Sequence, residues 1–548
     1  MLNRILCLIF ISNTCFANGI TLVSNIPFDR VERTEVKNKI IIDLGKQIST
    51  IDKKFYGAHL DSYSEIPEQK YFEDLKLGMV RVGGNEYDVF NWKTKEAITK
   101  NGLISLHGYE EVASKLQKYL VDGVYQINLT GYQPESEHGN LVLKKTADAK
   151  SAFELVKYLN GKLNLKIVNF SLGNEFSIWH ETHSHIFTTG DGISADEYIN
   201  TFIQYAISIR KAAEDINGNA NSIKIWGPEI SSSWVDWNNG NFSEDCNWSD
   251  NLRGQVDCKF GKGQFYNFIP YFLNRIKMAE LDKSINPRGY KLLDYFSFHY
   301  YPNFRTNIND LNSIIKSANG LQLVAQMLDA TRVFNDPSYK NTIDISSYRN
   351  ISPNILGRFK TWINKYYPNV KLALNEFAVD SDYKSTGYHP IIRPLYLADL
   401  IGILTKEGVS FFNLFVLSNA TGSPIPWSLV DGINTTNLYS MYKLYSNNFL
   451  GNVLNTENNA EGIITAYSTI NATQVVLSLV NKGPVDQKVQ VYVKELNNVK
   501  KVITYLIPGW SANIIKFERN PTLANGYYHT QVFGAKEMNI EKDIRYSK

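Results

Sequence analysis

Cysteine is scarce in this 548-residue chain: four in all, two of them, Cys7 and Cys15, inside the first 17 residues. Removal of that segment leaves only Cys246 and Cys258, too few for a disulfide-stapled scaffold or a cysteine-based zinc site. Charge of one sign is also lacking. A formal net charge of +3 over this length, with no basic run, excludes the electrostatic footprint of a nucleic-acid binder. No G-x-G-x-x-G turn follows an early strand, and "RVGGNEYD" lacks that spacing, which counts against a dinucleotide site. There is no H-E-x-x-H pair, no internal repeat, and no apolar run after the N-terminus long enough to cross a membrane.

What is abundant is aromatic: 13% of residues, including 33 Tyr and 9 Trp. Most such rings build cores, but an excess of Tyr and Trp also suits flat, amphipathic ligands such as sugars. The opening "MLNRILCLIFISNTCFANG" has a basic Arg4, an apolar stretch and a small residue at Ala17. That pattern is a signal peptide over 1–17, which predicts a secreted or periplasmic protein. In an oxidising compartment Cys246 and Cys258 are expected to form a local disulfide.

From Phe55 onward short apolar runs alternate with stretches of helical periodicity. The runs are "FYGAHL", "MVRVGGN", "VYQINLTGY", "IVNFSLGNE", "IKIWGPEI", "DYFSFHYY", "KLALNEF" and "VSFFNLFVL". Eight strands separated by helices predict an α/β fold, a (β/α)8 TIM barrel over 55–445. After "NLYSMYKLYSNNFLGN" the pattern turns to short β runs, predicting a β-sandwich over 446–519, completed by strands from 18–54. The polar stretch 520–548 is assigned no element.

In such a barrel the chemistry sits at the C-terminal strand ends. Strand two presents Arg81 and Asn85, strand four Asn174 and Glu175 with Trp179 beyond, and strand five Glu229 with Trp234 beyond. Strand six presents His299 and Tyr301, and strand seven Asn375 and Glu376. Glutamates on strands four and seven would face each other across the mouth. Paired carboxylates are what glycoside hydrolysis needs: one protonates the leaving oxygen while the other attacks. Arginine and tyrosine beside one carboxylate would hold it ionised, and an asparagine beside the other could hold a sugar hydroxyl. The ordinary alternatives are a structural ion pair for Arg81, a hydrogen-bonded core histidine for His299, and packing roles for the tryptophans.

The segments "LGMVRVGGNEYDVFNWK", "NFSLGNEFSIWHETH", "IKIWGPEISSSW", "DYFSFHYYPN" and "NKYYPNVKLALNEFAVD" resemble glycoside hydrolase family 44 in order and spacing. The resemblance implies a retaining endo-β-1,4-glucanase or xyloglucanase, built as a TIM barrel with a β-sandwich from both chain ends. It implies Glu175 as acid/base, Glu376 as nucleophile and Asn174 as the contact to the 2-hydroxyl. Arg81, Asn85, His299, Tyr301, Trp179 and Trp234 would complete the substrate site. The chain departs from the family at Gly173 and Phe176 around the first glutamate, at Asn375 and Phe377 around the second, and in lacking Trp-Pro after strand eight. The expected partner is a polysaccharide or oligosaccharide met by a monomer, with no nucleic acid and no membrane involved. No cofactor is required; some relatives bind structural calcium, but no oxygen-ligand loop is defined here. An exo-acting or uronic-acid-specific glycosidase, and a carbohydrate-binding protein on the same scaffold, are the alternatives.

Overall fold

The computed structural model describes residues 21–24, 37–62, 64–188, 192–231, 260–265, 267–302, 304, 318–340, 353–379, 391–419, 427–460, 462–496, 498–518, 527–534 and 540–545. The signal-peptide segment, Trp234, Cys246 and Cys258 lie outside them.

Eight parallel strands close into a barrel: β1 (Tyr56–Leu60), β2 (Met79–Val82), β3 (Asp122–Ile127), β4 (Asn169–Leu172), β5 (Lys224–Ile230), β6 (Tyr295–Tyr300), β7 (Lys371–Phe377) and β8 (Phe411–Leu414). They pair in chain order, and β8 pairs with β1 to complete the ring. This is the TIM-barrel architecture read from the alternation of runs. Outward residues such as Phe170, Phe296, Leu374 and Phe412 are buried in the large core beneath the surrounding helices.

The two-residue alternation of each strand sends the other set inward. At the lower end Met79, Val124, Trp226, Tyr295, Ala373 and Phe411 form a separate apolar cluster that plugs the barrel. Trp226 and Tyr295 stack there with ring centroids 4.3 Å apart. Two residues further along β2, β3, β6, β7 and β8 the inward positions are Arg81, Gln126, Ser297, Asn375 and Asn413, all fully buried. An apolar floor thus carries a polar layer, which is stable only where its members bond one another. Gly57 on β1 makes room for that layer: a Cβ there would lie 1.9 Å from Asn413 Oδ1.

A second unit is a ten-stranded sheet. Its order is Thr21–Ser24, Ile540–Arg545, Tyr527–Gly534, Ser511–Glu518, Gln474–Asn481, Ile464–Ile470, Gly451–Asn458, Asn38–Ile51, Gln487–Glu495 and Asn498–Ile507. Ile40, Ile42, Val489 and Val491 from one end share a core with Leu477, Leu479, Ile515 and Phe517, so the sheet folds over into a sandwich. The C-terminal stretch without an assigned element contributes two of these strands, Tyr527–Gly534 and Ile540–Arg545. Both are paired on either side, the edge beyond them being Thr21–Ser24. No helix among the described residues is long and apolar enough to cross a membrane.

Barrel and sandwich share one core, in which Ile514 and Val476 join Leu400 and Ile401 of the helix Ile392–Lys406. Inside this junction the fully buried Asp399 accepts from Tyr467 Oη at 2.8 Å and Thr331 Oγ1 at 2.5 Å, and pairs with Lys482 Nζ at 3.3 Å. Lys482 is itself 2% exposed. Asp399→Ala leaves that ammonium only Asp329 Oδ1, 3.4 Å away, and takes the acceptor from two buried hydroxyls, so it should cost about 3–5 kcal/mol in urea unfolding. Asp399→Leu combined with Lys482→Met should recover most of that loss. A single-variant loss below about 1 kcal/mol would refute this account of the junction.

Candidate active site

Arg81 rises from β2 into the barrel axis with its side chain wholly buried, and its donors reach the surrounding strands. Nη1 donates to Glu376 Oε2 at 2.6 Å and lies 2.9 Å from His59 Nδ1. Nη2 donates to Asn174 Oδ1 at 2.6 Å and reaches Gln126 Oε1 at 3.5 Å. Nε lies 3.9 Å from Glu229 Oε2. Because Arg81 can only donate, His59 must accept at Nδ1 and give its Nε2 hydrogen to the Gly83 carbonyl, 3.2 Å away. Burial and the guanidinium together push His59 well below the ordinary histidine value, so it is neutral.

Strand irregularities aim the glutamates. The register between β5 and β6 jumps from Pro228 to Ile230, leaving Glu229 unpaired between them, with φ +54°. Register shifts also occur between Phe298 and His299 on β6 and between Leu374 and Phe377 on β7. The second shift lets adjacent Asn375 and Glu376 both reach the interior, which strict alternation forbids. Glu175 follows β4 in the left-handed region at φ +41°, and its N–H donates to the Glu229 carbonyl at 2.8 Å. Left-handed backbone at two non-glycine residues is strain that the surrounding bonds must hold.

His299 joins the three carboxylates. Nδ1 is 2.9 Å from Glu175 Oε1 and 3.5 Å from Glu376 Oε2, and Nε2 is 3.0 Å from Glu229 Oε2. Burial alone would lower its pKa, but Glu376, Glu175 and Glu229 outweigh burial and raise it to about 9. The ring is therefore an imidazolium donating from both nitrogens. Glu229 also accepts from Ser297 Oγ at 2.6 Å and from Asn375 Nδ2 at 3.0 Å. Burial pushes its carboxyl up, yet His299, Arg81 and Ser297 prevail and hold it below the usual carboxylate range. Glu376, 7% exposed, accepts from Tyr301 Oη as well as from Arg81. Burial raises its carboxyl, opposed by His299 and Arg81 and reinforced by Glu175.

One oxygen from each of Glu175 and Glu376 and one His299 nitrogen lie within 4.8 Å of one another. That spacing would also suit a cation, but Arg81 and the His299 imidazolium already supply the positive charge, so this trio does not fit calcium.

The structure brings Arg81, Asn174, Glu175, His299, Tyr301 and Glu376 into one cluster, with Asn85 joined to it by Asn174 Nδ2 at 2.9 Å. Trp179 belongs beneath the cluster rather than on it. Its ring is fully buried, and Nε1 donates to the Asn174 carbonyl at 2.7 Å and to Asp88 Oδ2 at 3.0 Å. No face is left on which a sugar could stack, which corrects the substrate-contact expectation for this residue. His59, Gln126 and Asp88 carry no role in the sequence reading, and Glu229 only a place at the end of strand five. The usable signal was their inward parity on the strands or their position just past a strand end.

An eight-stranded barrel with opposed glutamates, one just after β4 and one near the end of β7, defines the class: a (β/α)8 barrel carrying a carboxylate pair. Within that class the chain is related to glycoside hydrolase family 44, whose family model matches residues 122–304. It is 24% identical over 565 residues to the beta-mannanase/endoglucanase A of Caldicellulosiruptor saccharolyticus, covering 89% of this chain and 37% of that protein. It is 24% identical over 315 residues to the endoglucanase A of Paenibacillus lautus, covering 58% of this chain and 37% of that one. The chain thus spans little more than a third of these curated relatives' length. Among solved structures, a family 44 xyloglucanase of Paenibacillus polymyxa shares the fold with TM-score 0.62 at 17% identity, over 87% of this chain and 98% of that one. A family 44 endoglucanase of Clostridium acetobutylium gives TM-score 0.62 at 18% identity with the same coverage.

The raised His299 value fixes a pH dependence. Its folded pKa of about 9 lies above the ordinary 6.5, so the proton's contribution is fully present below about pH 6.5. It is lost as pH climbs through about 9. Unfolding free energy of the wild type minus that of His299→Gln should therefore shrink between pH 6.5 and 9; a difference constant across that window would exclude the imidazolium.

Proposed function

We propose that the protein is a secreted retaining glycoside hydrolase that cleaves β-1,4-linked glucan chains internally, with a soluble or branched glucan such as xyloglucan as substrate. The observation that carries this reading is the opposition of Glu175 and Glu376 within 4.8 Å, compatible with the ~5–5.5 Å carboxyl spacing of retaining enzymes. An inverting pair needs a wider gap to admit water. The relationship to family 44 and to proteins named as endoglucanases supports the substrate class.

The surroundings distribute the roles. Glu376 receives the Arg81 guanidinium and the Tyr301 hydroxyl, with the imidazolium 3.5 Å away, whereas Glu175 is bonded by His299. Glu376 thus holds the larger set of donors, as the nucleophile of the pair needs when it departs as an anion. Glu376 attacks the anomeric carbon, and Glu175 gives its proton to the departing glycosidic oxygen. The bond to that oxygen breaks as the Glu376 ester forms. Glu175, now a carboxylate, takes a proton from water, which attacks the same carbon and releases Glu376. Asn174 has one amide hydrogen engaged by Asn85, and offers the other to the sugar 2-hydroxyl.

Purified protein incubated with xyloglucan, mixed-linkage glucan, carboxymethylcellulose and xylan should release oligosaccharides whose new reducing ends keep the β configuration in NMR. Glu376→Gln should lose at least ~10³-fold in turnover and Glu175→Gln roughly 10²–10⁴-fold on the same glucan. α-Configured initial products, or a wild-type rate in Glu376→Gln, would overturn the mechanism.

A further inference from the structure

We propose that Asp88, a buried carboxylate that touches neither candidate catalytic glutamate, is a positioning residue that sets the Asn174–Glu175 turn for proton donation by holding Trp179. This rests on Glu175 being the acid/base. Asp88 is 0% exposed at the end of the short 3₁₀ turn Asn85–Val89 that follows β2. Its Oδ2 takes the Trp179 indole N–H at 3.0 Å and lies 3.1 Å from His183 Nε2; its Oδ1 takes Gln126 Nε2 at 3.0 Å. The turn after β2, strand β3 itself and the loop after β4 therefore converge on one carboxylate.

The path onward is short. The same indole N–H is shared with the Asn174 carbonyl at 2.7 Å, so Trp179 fixes the backbone oxygen one residue before Glu175. Gln126 returns from Asp88 to the Gly84 N–H at 2.7 Å and the Gly84 carbonyl at 3.1 Å, the turn that leads into Asn85. Asn85 in turn accepts from Asn174 Nδ2. Asp88 thus braces Asn174 by its backbone and by its side chain. Glu175 needs such bracing because it sits in left-handed backbone, which no local preference of glutamate supplies.

An asparagine cannot replace this carboxylate. Both oxygens face donors, and Gln126 cannot turn its amide round because its own oxygen is committed to the Gly84 N–H. Asp88→Asn is nearly isosteric yet sets N–H against N–H on one side.

The test separates positioning of an acid from general loosening. Two aryl β-cello-oligosaccharides are compared by kcat/KM, one with a phenolate leaving group that needs protonation and one with 2,4-dinitrophenolate, which departs without it. Asp88→Asn should lower kcat/KM ~10–100-fold for the phenyl substrate and at most about threefold for the dinitrophenyl one. Trp179→Phe, which removes the indole N–H with its five-membered ring and keeps a six-membered aromatic ring in the site, should show the same selectivity and decides the matter if Asp88→Asn does not fold. Adding Asp88→Asn to Glu175→Gln should cost little more on the phenyl substrate. Equal losses on both substrates, or none on either, would overturn the proposal. Failure of the wild type to cleave either substrate would instead overturn the glycosidase reading on which it rests.

Discussion

A guanidinium with no access to water must find its partners inside the protein, and Arg81 organises the barrel mouth around that requirement. Desolvating an arginine costs several kcal/mol unless its donors and charge are met. Here the partners come from β1, β3, β5, β7 and the turn after β4: His59, Gln126, Glu229, Glu376 and Asn174. Arg81 only donates, so each partner's orientation follows from it. His59 must be neutral with hydrogen on Nε2, and Asn174 must turn its oxygen to Arg81 and its amide outward to Asn85. One buried cation thereby fixes the tautomer of a histidine, the flip of an asparagine and the place of the candidate nucleophile.

The layer below explains why such a network is tolerable. The apolar plug of Trp226, Tyr295 and Phe411 closes the lower barrel, so the polar residues above it have only one another and the mouth to bond with. Asn413 donates to Asn375 Oδ1 at 2.6 Å, and Asn375 donates to Glu229. Polar groups stacked on an apolar floor form chains of bonds that lead upward, ending at the carboxylates.

Barrel, sandwich and the glutamate pair were legible because each rests on a repeating or local signal: period-two runs, helical periodicity, and Asn-Glu at two strand ends. Trp179 shows what was not. A tryptophan four residues past a glutamate reads equally well as a platform or a brace, and only the carboxylate of Asp88, contributed from a turn some ninety residues earlier, decides between them. Glu229 was obscured for a related reason. Its importance comes from a register jump and from His299 on the neighbouring strand, neither of which leaves a mark in the run "IKIWGPEI". The two final strands were hidden because the stretch after 519 carries few apolar residues in alternation.

Charge balance in the cluster leads to the chemistry. Arg81 and the His299 imidazolium bring two positive charges, Glu229 is held ionised by its three donors and the nearby guanidinium, and His59 is held neutral. The proposed double displacement starts with one proton for the two facing glutamates. With Arg81, the imidazolium and Glu229, that count would leave the buried cluster close to neutral, which low dielectric penalises least. Glu229 sits behind His299 and beside Arg81, touching both cations at once; were it uncharged, the positive excess would favour ionisation of both facing glutamates. In the proposed scheme the third glutamate offsets one of the two cations and so favours the proton that the pair shares.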